Sequence, residues 1–322
     1  MILFLKKNFD AYRYIKMLII SLDFLRFNSI YSVIKLYFIK TFLISNFFRN
    51  YISKKKTYNK TVKNEQSMSL ELNPKDVFHD LKKTGISKVF HLNNKILKNI
   101  DNEVFTLKIH ILKKNKVYQK INENFFKRRK KENNQAYFKR LEKNKINRFS
   151  GSIDLRNQSY IKNFICNPKI LDIASNYLQS DLLSINCSTI VSIPSNLSKR
   201  EKIANAQAFH FDSDFSSFLK LYIYLTDVDD HSGPHIYIRG THLKKDKNHL
   251  LHRPYFDKEI VKNYNDFFKV QGKKGSFFFE DAYGLHKGEP PTKKPRILLN
   301  IHYGNNKIKY SPNDLFINLK KN

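Results

Sequence analysis

The chain has 322 residues, 41% of them hydrophobic, with 27 Phe and 18 Tyr. That is enough apolar mass for one large domain with appendages or two modest ones, and it excludes a globally disordered chain. The net charge of +31 invites an anionic partner, whereas Cys166 and Cys187, with no CxxC spacing, exclude a disulfide framework and a cysteine zinc site and fit a reducing cytoplasm.

The positive charge is unevenly spread. Residues 1–69 hold 13 Lys/Arg against 3 acids, and residues 113–148 hold 14 against 3. Lys, Asn and Ile are abundant throughout, the texture of an AT-rich genome, so part of the charge reads as compositional bias on solvated faces.

Residues 1–50 are rich in Ile, Leu, Phe and Tyr, but Lys16, Asp23, Arg26, Lys35 and Lys40 interrupt every window of the ~20 apolar residues that a spanning helix needs. The segment also lacks the apolar core and small-residue cleavage site of a signal peptide. It reads as one or two helices docked on the body, with peripheral attachment at the inner face of the membrane as the alternative. Lys54–Gln66 is polar and basic and reads as a linker.

From about Ser69 the texture changes. Asp76–Lys83 predicts a helix between Pro74 and Gly85, Ile86–Leu92 a strand, and Asn93 or Asn94 caps a short helix running to Asn102. In 113–148 the run Lys127-Arg128-Arg129-Lys130-Lys131 lies between Phe126 and Tyr137. Interleaved aromatics and cations suit single-stranded nucleic acid, but a surface helix or loop with inward aromatics is the favoured reading, which makes nucleic acid an unlikely partner. Asn167–Leu178 has helical spacing after Pro168.

Beyond Leu182 the pattern is predominantly β. Leu183–Ile193, Ala206–Phe211, Leu219–Leu225, His235–Ile238, a segment at Val270, Gly275–Phe279 and Arg296–Tyr303 read as short strands, with Gly and Pro at the joints. This series suggests a sandwich or rolled barrel, a mainly β class with flanking helices (α+β).

The chemistry concentrates at His210-Phe211-Asp212, His286 and Arg296. In a strand, His210 and Asp212 project to one face, and so does Asp214 while the strand lasts. Two imidazoles and a carboxylate can form one face of an octahedral non-haem Fe(II) site, leaving positions open for a co-substrate and O2. His302 competes with His286 as the distal histidine. No arginine follows it, however, and His286 sits on a loop framed by Asp281, Gly284 and Gly288. On the last strand Arg296, Leu298, Asn300 and His302 share a face. His231, His235, His242, His249 and His252 are assigned to turns and surface.

Several motifs resemble the phytanoyl-CoA dioxygenase family of Fe(II)/2-oxoglutarate-dependent oxygenases. They are Asp76–Ile86, Asn167-Pro168-Lys169-Ile170-Leu171, His210-Phe211-Asp212, the stretch from Ser232-Gly233-Pro234 to Gly240-Thr241-His242, His286 and Arg296. Arg239 stands where that family usually has proline. The resemblance covers 70–308 and implies a double-stranded β-helix, the jelly-roll or cupin-like core. It selects Asp212 over Asp214 and implies that His210, Asp212 and His286 are the metal ligands. It implies that Arg296 pairs with the far carboxylate of 2-oxoglutarate. Halogenating relatives replace the acidic ligand with a small residue, so Asp212 points to hydroxylation, with release of succinate and CO2.

The resulting organisation is an N-terminal extension and linker (1–69), a dioxygenase domain (70–308) carrying the basic insert 113–148, and a tail (309–322). Substrates in view are a small molecule, a lipid or a glycan precursor, with Lys244–Asn265 as the lid candidate. The competing reading is a catalytically silent jelly roll that binds nucleic acid or anionic membrane through its basic segments. A silent scaffold has no reason to keep all four site residues.

Overall fold

The computed structural model describes residues 68–104, 109–111, 123–129, 132–155, 159–212, 218–249, 254–304 and 315–319. The expectations for the first fifty residues, the linker, Asp214, His252, and Lys130 and Lys131 lie outside these residues.

Helix α1 (Pro74–Thr84) begins where the Asn73 side chain accepts from the Lys75 N–H and ends at Gly85, whose φ of 85° gives a left-handed cap. Strand β1 (Phe90–His91) leads to α2 (Asn94–Glu103), capped by Asn93. Next come β2 (Ile109–Ile111), α3 (Asn134–Lys143), β3 (Arg148–Ile153), α4 (Tyr160–Ile165) and α5 (Pro168–Leu178). The remainder is β4 (Leu182–Ser192), α6 (Lys199–Ala204), β5 (Phe218–Tyr224), β6 (His235–Ile238), α7 (Asp257–Ile260), β7 (Phe267–Val270), β8 (Ser276–Glu280), β9 (His286–Gly288), β10 (Arg296–Gly304) and β11 (Leu315–Asn318).

The strands form two antiparallel sheets. The larger has the order β1-β8-β5-β10-β4-β3-β2, with β11 also on β4, and the smaller is β7-β6-β9. Period-two alternation gives the large sheet two different faces. Leu183, Ile185 and Val191 of β4, Leu219, Leu221 and Ile223 of β5, Phe277 and Phe279 of β8, and Ile297, Leu299 and Ile301 of β10 join one apolar core with α1, α2 and α5. The opposite face turns Tyr222, Tyr224, Phe278 and Leu298 toward Tyr237 and Val270 of the small sheet. Two curled antiparallel sheets facing each other are the double-stranded β-helix architecture expected from the sequence.

Three sequence expectations need correction. The Ile86–Leu92 strand shrinks to Phe90–His91, with Ile86 making one bridge to Glu280. Ala206–Phe211 is not a continuous strand. Ala206 has a φ of 54°, so the ladder survives only as bridges at Phe209 and His210. Residues 309–322, read as a tail, contribute Leu315–Asn318 to the large sheet beside Leu182–Ile185.

In the insert, α3 buries Tyr137, Phe138 and Leu141, and Phe126 is buried as well. The Tyr137 hydroxyl donates to the Phe126 carbonyl at 2.8 Å. The Arg140 fork clasps Glu132, Nε to Oε1 at 2.8 Å and Nη2 to Oε2 at 2.7 Å. The aromatics therefore face inward, away from any stacking role. Among the described residues no helix is long and apolar enough to cross a membrane.

Candidate metal centre

His210 and His286 meet because their backbones pair. The His210 N–H donates to the His286 carbonyl at 2.9 Å and the His286 N–H returns the bond at 2.8 Å. Such a pair sets both side chains on one side of the ladder, and the ring centroids lie 4.4 Å apart. The Asp212 N–H donates to the Ala282 carbonyl at 2.8 Å, which carries the third side chain to the same place. Phe211, between the two, packs edge-on against Tyr283.

Both imidazoles are held by the same kind of hydrogen bond. His210 Nδ1 lies 3.0 Å from the Ala208 carbonyl, and His286 Nδ1 lies 3.0 Å from the Gly284 carbonyl. A carbonyl only accepts, so in each ring Nδ1 is the donor, and in the neutral imidazole Nε2 is the atom left with a lone pair. These Nε2 atoms converge on Asp212, at 3.7 Å from Oδ1 for His210 and 3.9 Å from Oδ2 for His286. One donor atom from each residue lies within 4.8 Å of the other two. Two imidazole nitrogens and one carboxylate oxygen, each residue held by a second hydrogen bond, fit a divalent iron. Burial acts to raise the Asp212 carboxyl, but Lys220, His286 and His210 outweigh it and hold it below the usual carboxylate range. Burial pushes His286 down to about 3, which keeps it neutral for ligation.

The loop before His286 is built on Asp281. Its carboxylate accepts from the Tyr177 hydroxyl at 2.7 Å and the Tyr283 N–H at 3.0 Å, and its carbonyl accepts from the Tyr237 hydroxyl at 2.9 Å. Gly284 is required beside it, because a Cβ there would stand 1.9 Å from the Tyr237 oxygen.

Arg296 begins β10 and is buried, yet its Nε and Nη1 have no hydrogen-bond partner. Burial lowers its pKa, while Tyr224, Tyr222 and Glu289 act in the opposite direction. A buried guanidinium with two unpaired nitrogens is costly until an anion reaches it. That vacancy of hydrogen bonds fits the carboxylate of a dicarboxylic co-substrate. As the sequence indicated, Arg296, Leu298, Asn300 and His302 share the inner face of β10, because Ile297, Leu299, Ile301 and Tyr303 occupy the opposite core. The Asn300 amide reaches Ser188 at 3.3 Å, and its Oδ1 is buried without a partner.

Three inner residues escaped the sequence reading. His235, assigned there to turns and surface, is buried, stacks on His286 at 5.5 Å and lies 2.6 Å from Glu280. His242 and His249, assigned likewise, are buried too. Glu280 is completely buried, and burial raises its carboxyl to about 7. Lys220 donates from its ammonium to Asp212 Oδ2. A signal was present: a lone Lys in β5 and a lone Glu closing the Phe277–Phe279 run. Alternation assigned both to a polar face without revealing that this face lines the inside of a barrel.

The model of the phytanoyl-CoA dioxygenase (PhyH) family matches residues 111–298, more than half of the chain and inside the 70–308 span of the sequence resemblance. The chain belongs to the PhyH family. Fe(II) is thus its metal and 2-oxoglutarate its co-substrate, and the enzyme class is that of non-haem 2-oxoglutarate-dependent oxygenases. Among similar solved structures is the α-ketoglutarate-dependent epimerase SnoN from nogalamycin biosynthesis, at 15% identity and TM-score 0.48, covering 72% of this chain and 83% of that one. HygX from Streptomyces hygroscopicus, with nickel and 2-oxoglutarate bound, has 10% identity and TM-score 0.46, covering 74% and 89%. AviO1 from Streptomyces viridochromogenes Tue57 has 12% identity and TM-score 0.45, covering 76% and 100%. Likeness at this level does not say which reaction this PhyH chain performs. No curated protein matches it in sequence.

Proposed function

We propose that this PhyH protein hydroxylates a C–H bond of a polar small molecule, with His210, Asp212 and His286 holding Fe(II) and Arg296 binding the far carboxylate of 2-oxoglutarate. The observation that carries this reading is the complete set of three convergent donors facing the same barrel interior as an unsatisfied guanidinium. When bound, iron would activate O2, the oxidant: one oxygen atom would go to the substrate C–H bond and the other to 2-oxoglutarate, which would leave as succinate and CO2. The chain's own part is to orient two Nε2 lone pairs through Ala208 and Gly284, and to hold the dicarboxylate at a fixed end. Asp212 supports hydroxylation over halogenation, because the carboxylate occupies the position that a halide needs.

The inner face supports a polar substrate over an acyl chain. Antiparallel register brings Ser152, Ser188, Asn300 and Tyr222 into one row across β3, β4, β10 and β5, and His302 opposite Lys220 in the next. An alkyl chain laid along these rows would strip water from hydroxyls and amides and return no hydrogen bonds. A hydroxyl-bearing substrate satisfies them.

The test is anaerobic addition of Fe(II) and 2-oxoglutarate, which should produce a weak metal-to-ligand charge-transfer band in the visible that is lost in His286→Ala. Absence of the band in folded, iron-loaded protein sinks the oxygenase reading. A turnover product that is epimerised or chlorinated, without a gained oxygen atom, sinks hydroxylation while leaving the cofactor assignment intact.

A further inference from the structure

Lys220 is an unusual resident of a strand interior. It lies on β5 between Leu219 and Leu221, both in the apolar core, and is itself buried on the inner face. Its Cα stands opposite Glu280 of β8 and His302 of β10, and its ammonium donates to Asp212 Oδ2. Of the pocket's fixed cations, Arg296 stands at the start of β10 and Lys220 beside a candidate metal ligand. Iron brings two positive charges to this spot, and 2-oxoglutarate brings two negative ones. With Asp212, Lys220 and Arg296 charged the empty pocket carries +1, so iron alone would take it to +3, 2-oxoglutarate alone to −1 and the two together back to +1, which leaves the lone dication as the least compensated state.

We propose that Lys220 couples the loading of metal and dicarboxylate, its ammonium opposing a dication that arrives alone at Asp212 and attracting the carboxylate at the metal end of the co-substrate. This rests on the iron and 2-oxoglutarate reading above. Lys220 is a positioning residue here, acting on both reactants through charge and with opposite signs. A lysine that merely orients Asp212 would behave differently. Removing an orienting partner of a ligand weakens metal binding, typically by about 10–100-fold. Removing a coupling charge strengthens it. By reciprocity, the factor by which 2-oxoglutarate improves metal affinity equals the factor by which metal improves 2-oxoglutarate affinity.

The experiment is titration of metal-free protein with Mn²⁺, read as loss of the free-ion EPR signal, with and without 2-oxoglutarate, in wild type and Lys220→Met. The variant should bind Mn²⁺ alone roughly tenfold more tightly than wild type, and the enhancement by 2-oxoglutarate should shrink by a similar factor. Lys220→Gln, which keeps a hydrogen-bond donor without the charge, should do the same and serves if the Met variant does not fold. Mn²⁺ affinity that is unchanged or weaker in these variants overturns the proposal. If His210→Ala binds Mn²⁺ as tightly as wild type, the metal lies elsewhere and the underlying reading falls. That result is distinct from unchanged lysine variants on a site that His210→Ala abolishes.

Discussion

Two nitrogens of Arg296 have no partner inside the barrel, a cost in stability that the proposed co-substrate contact would explain. Arg296→Leu should leave the metal-free protein at least as thermostable as wild type while weakening 2-oxoglutarate binding on the order of 100-fold, the worth of a charge-assisted, two-pronged contact. Mn²⁺ affinity measured alone should hardly change. Equal loss of both ligands would make Arg296 a structural residue. The buried histidines supply a second prediction at this scale. Burial lowers His286 and His302 to about 3 each, so their stabilising share is present above the unfolded value of 6.5 and is lost as pH falls toward 3. Burial raises Glu280 to about 7, and its share runs the other way, present below 4.5 and lost as pH rises through 7. His235 is likewise lowered well below its ordinary value by burial, so between pH 4.5 and 6.5 three histidines outnumber the one carboxyl. Melting of metal-free protein should therefore occur at lower temperature as pH drops through that window. His302→Gln should flatten the slope by about 1.4 kcal/mol per pH unit, the value of one proton. An unchanged slope would mean that His302 is already protonated in the fold.

At the scale of elements, the least regular parts hold the site. His210 sits on an isolated bridge, and His286 follows a loop whose shape depends on Asp281, Gly284 and Tyr237. Gly284→Ala would drive a Cβ into the Tyr237 hydroxyl and break its bond to the Asp281 carbonyl. Overpacking of this kind lowers the melting temperature on the order of 5–10 °C, and here it should also weaken Mn²⁺ binding, because the Gly284 carbonyl sets the His286 tautomer. A melting loss with intact metal affinity would show that the loop can shift as a unit. This arrangement explains what was legible in the sequence. Strands β4, β5, β6 and β10 alternate cleanly because one face is packed in apolar side chains, and the four candidate site residues were singled out by residue type together with the family resemblance. β3 was missed because its inner positions are Ser150 and Ser152 with Gly151 between, which look like a loop in sequence. His235 and Glu280 were missed because burial inside a barrel depends on a second sheet whose position no local pattern encodes.

At the scale of the whole molecule, the open question is whether a charge of +31 serves binding. In the described part of the insert the cations are partly committed: Arg140 is clasped by Glu132, and the Arg128 guanidinium meets the Asp101 carbonyl at 2.7 Å and Asn134 at 2.8 Å. Phe126 and Tyr137, the rings that would stack on bases, are fully buried. Without stacking, affinity for single strands comes from phosphates alone, and phosphate contacts release counterions and weaken steeply with salt. Any binding of oligo-dT at 0.05 M salt should therefore fall about 300-fold or more by 0.2 M, if six or more phosphates are engaged, with no preference among base sequences. Fluorescence anisotropy across a salt series measures both. Iron and 2-oxoglutarate binding should be indifferent to the oligonucleotide, because the site opens inside the barrel and none of its four residues lies in the insert. Binding that survives 0.2 M salt, or that alters the charge-transfer band, would require exposed aromatic platforms that the described insert does not have. It would restore nucleic acid as a partner of this PhyH chain.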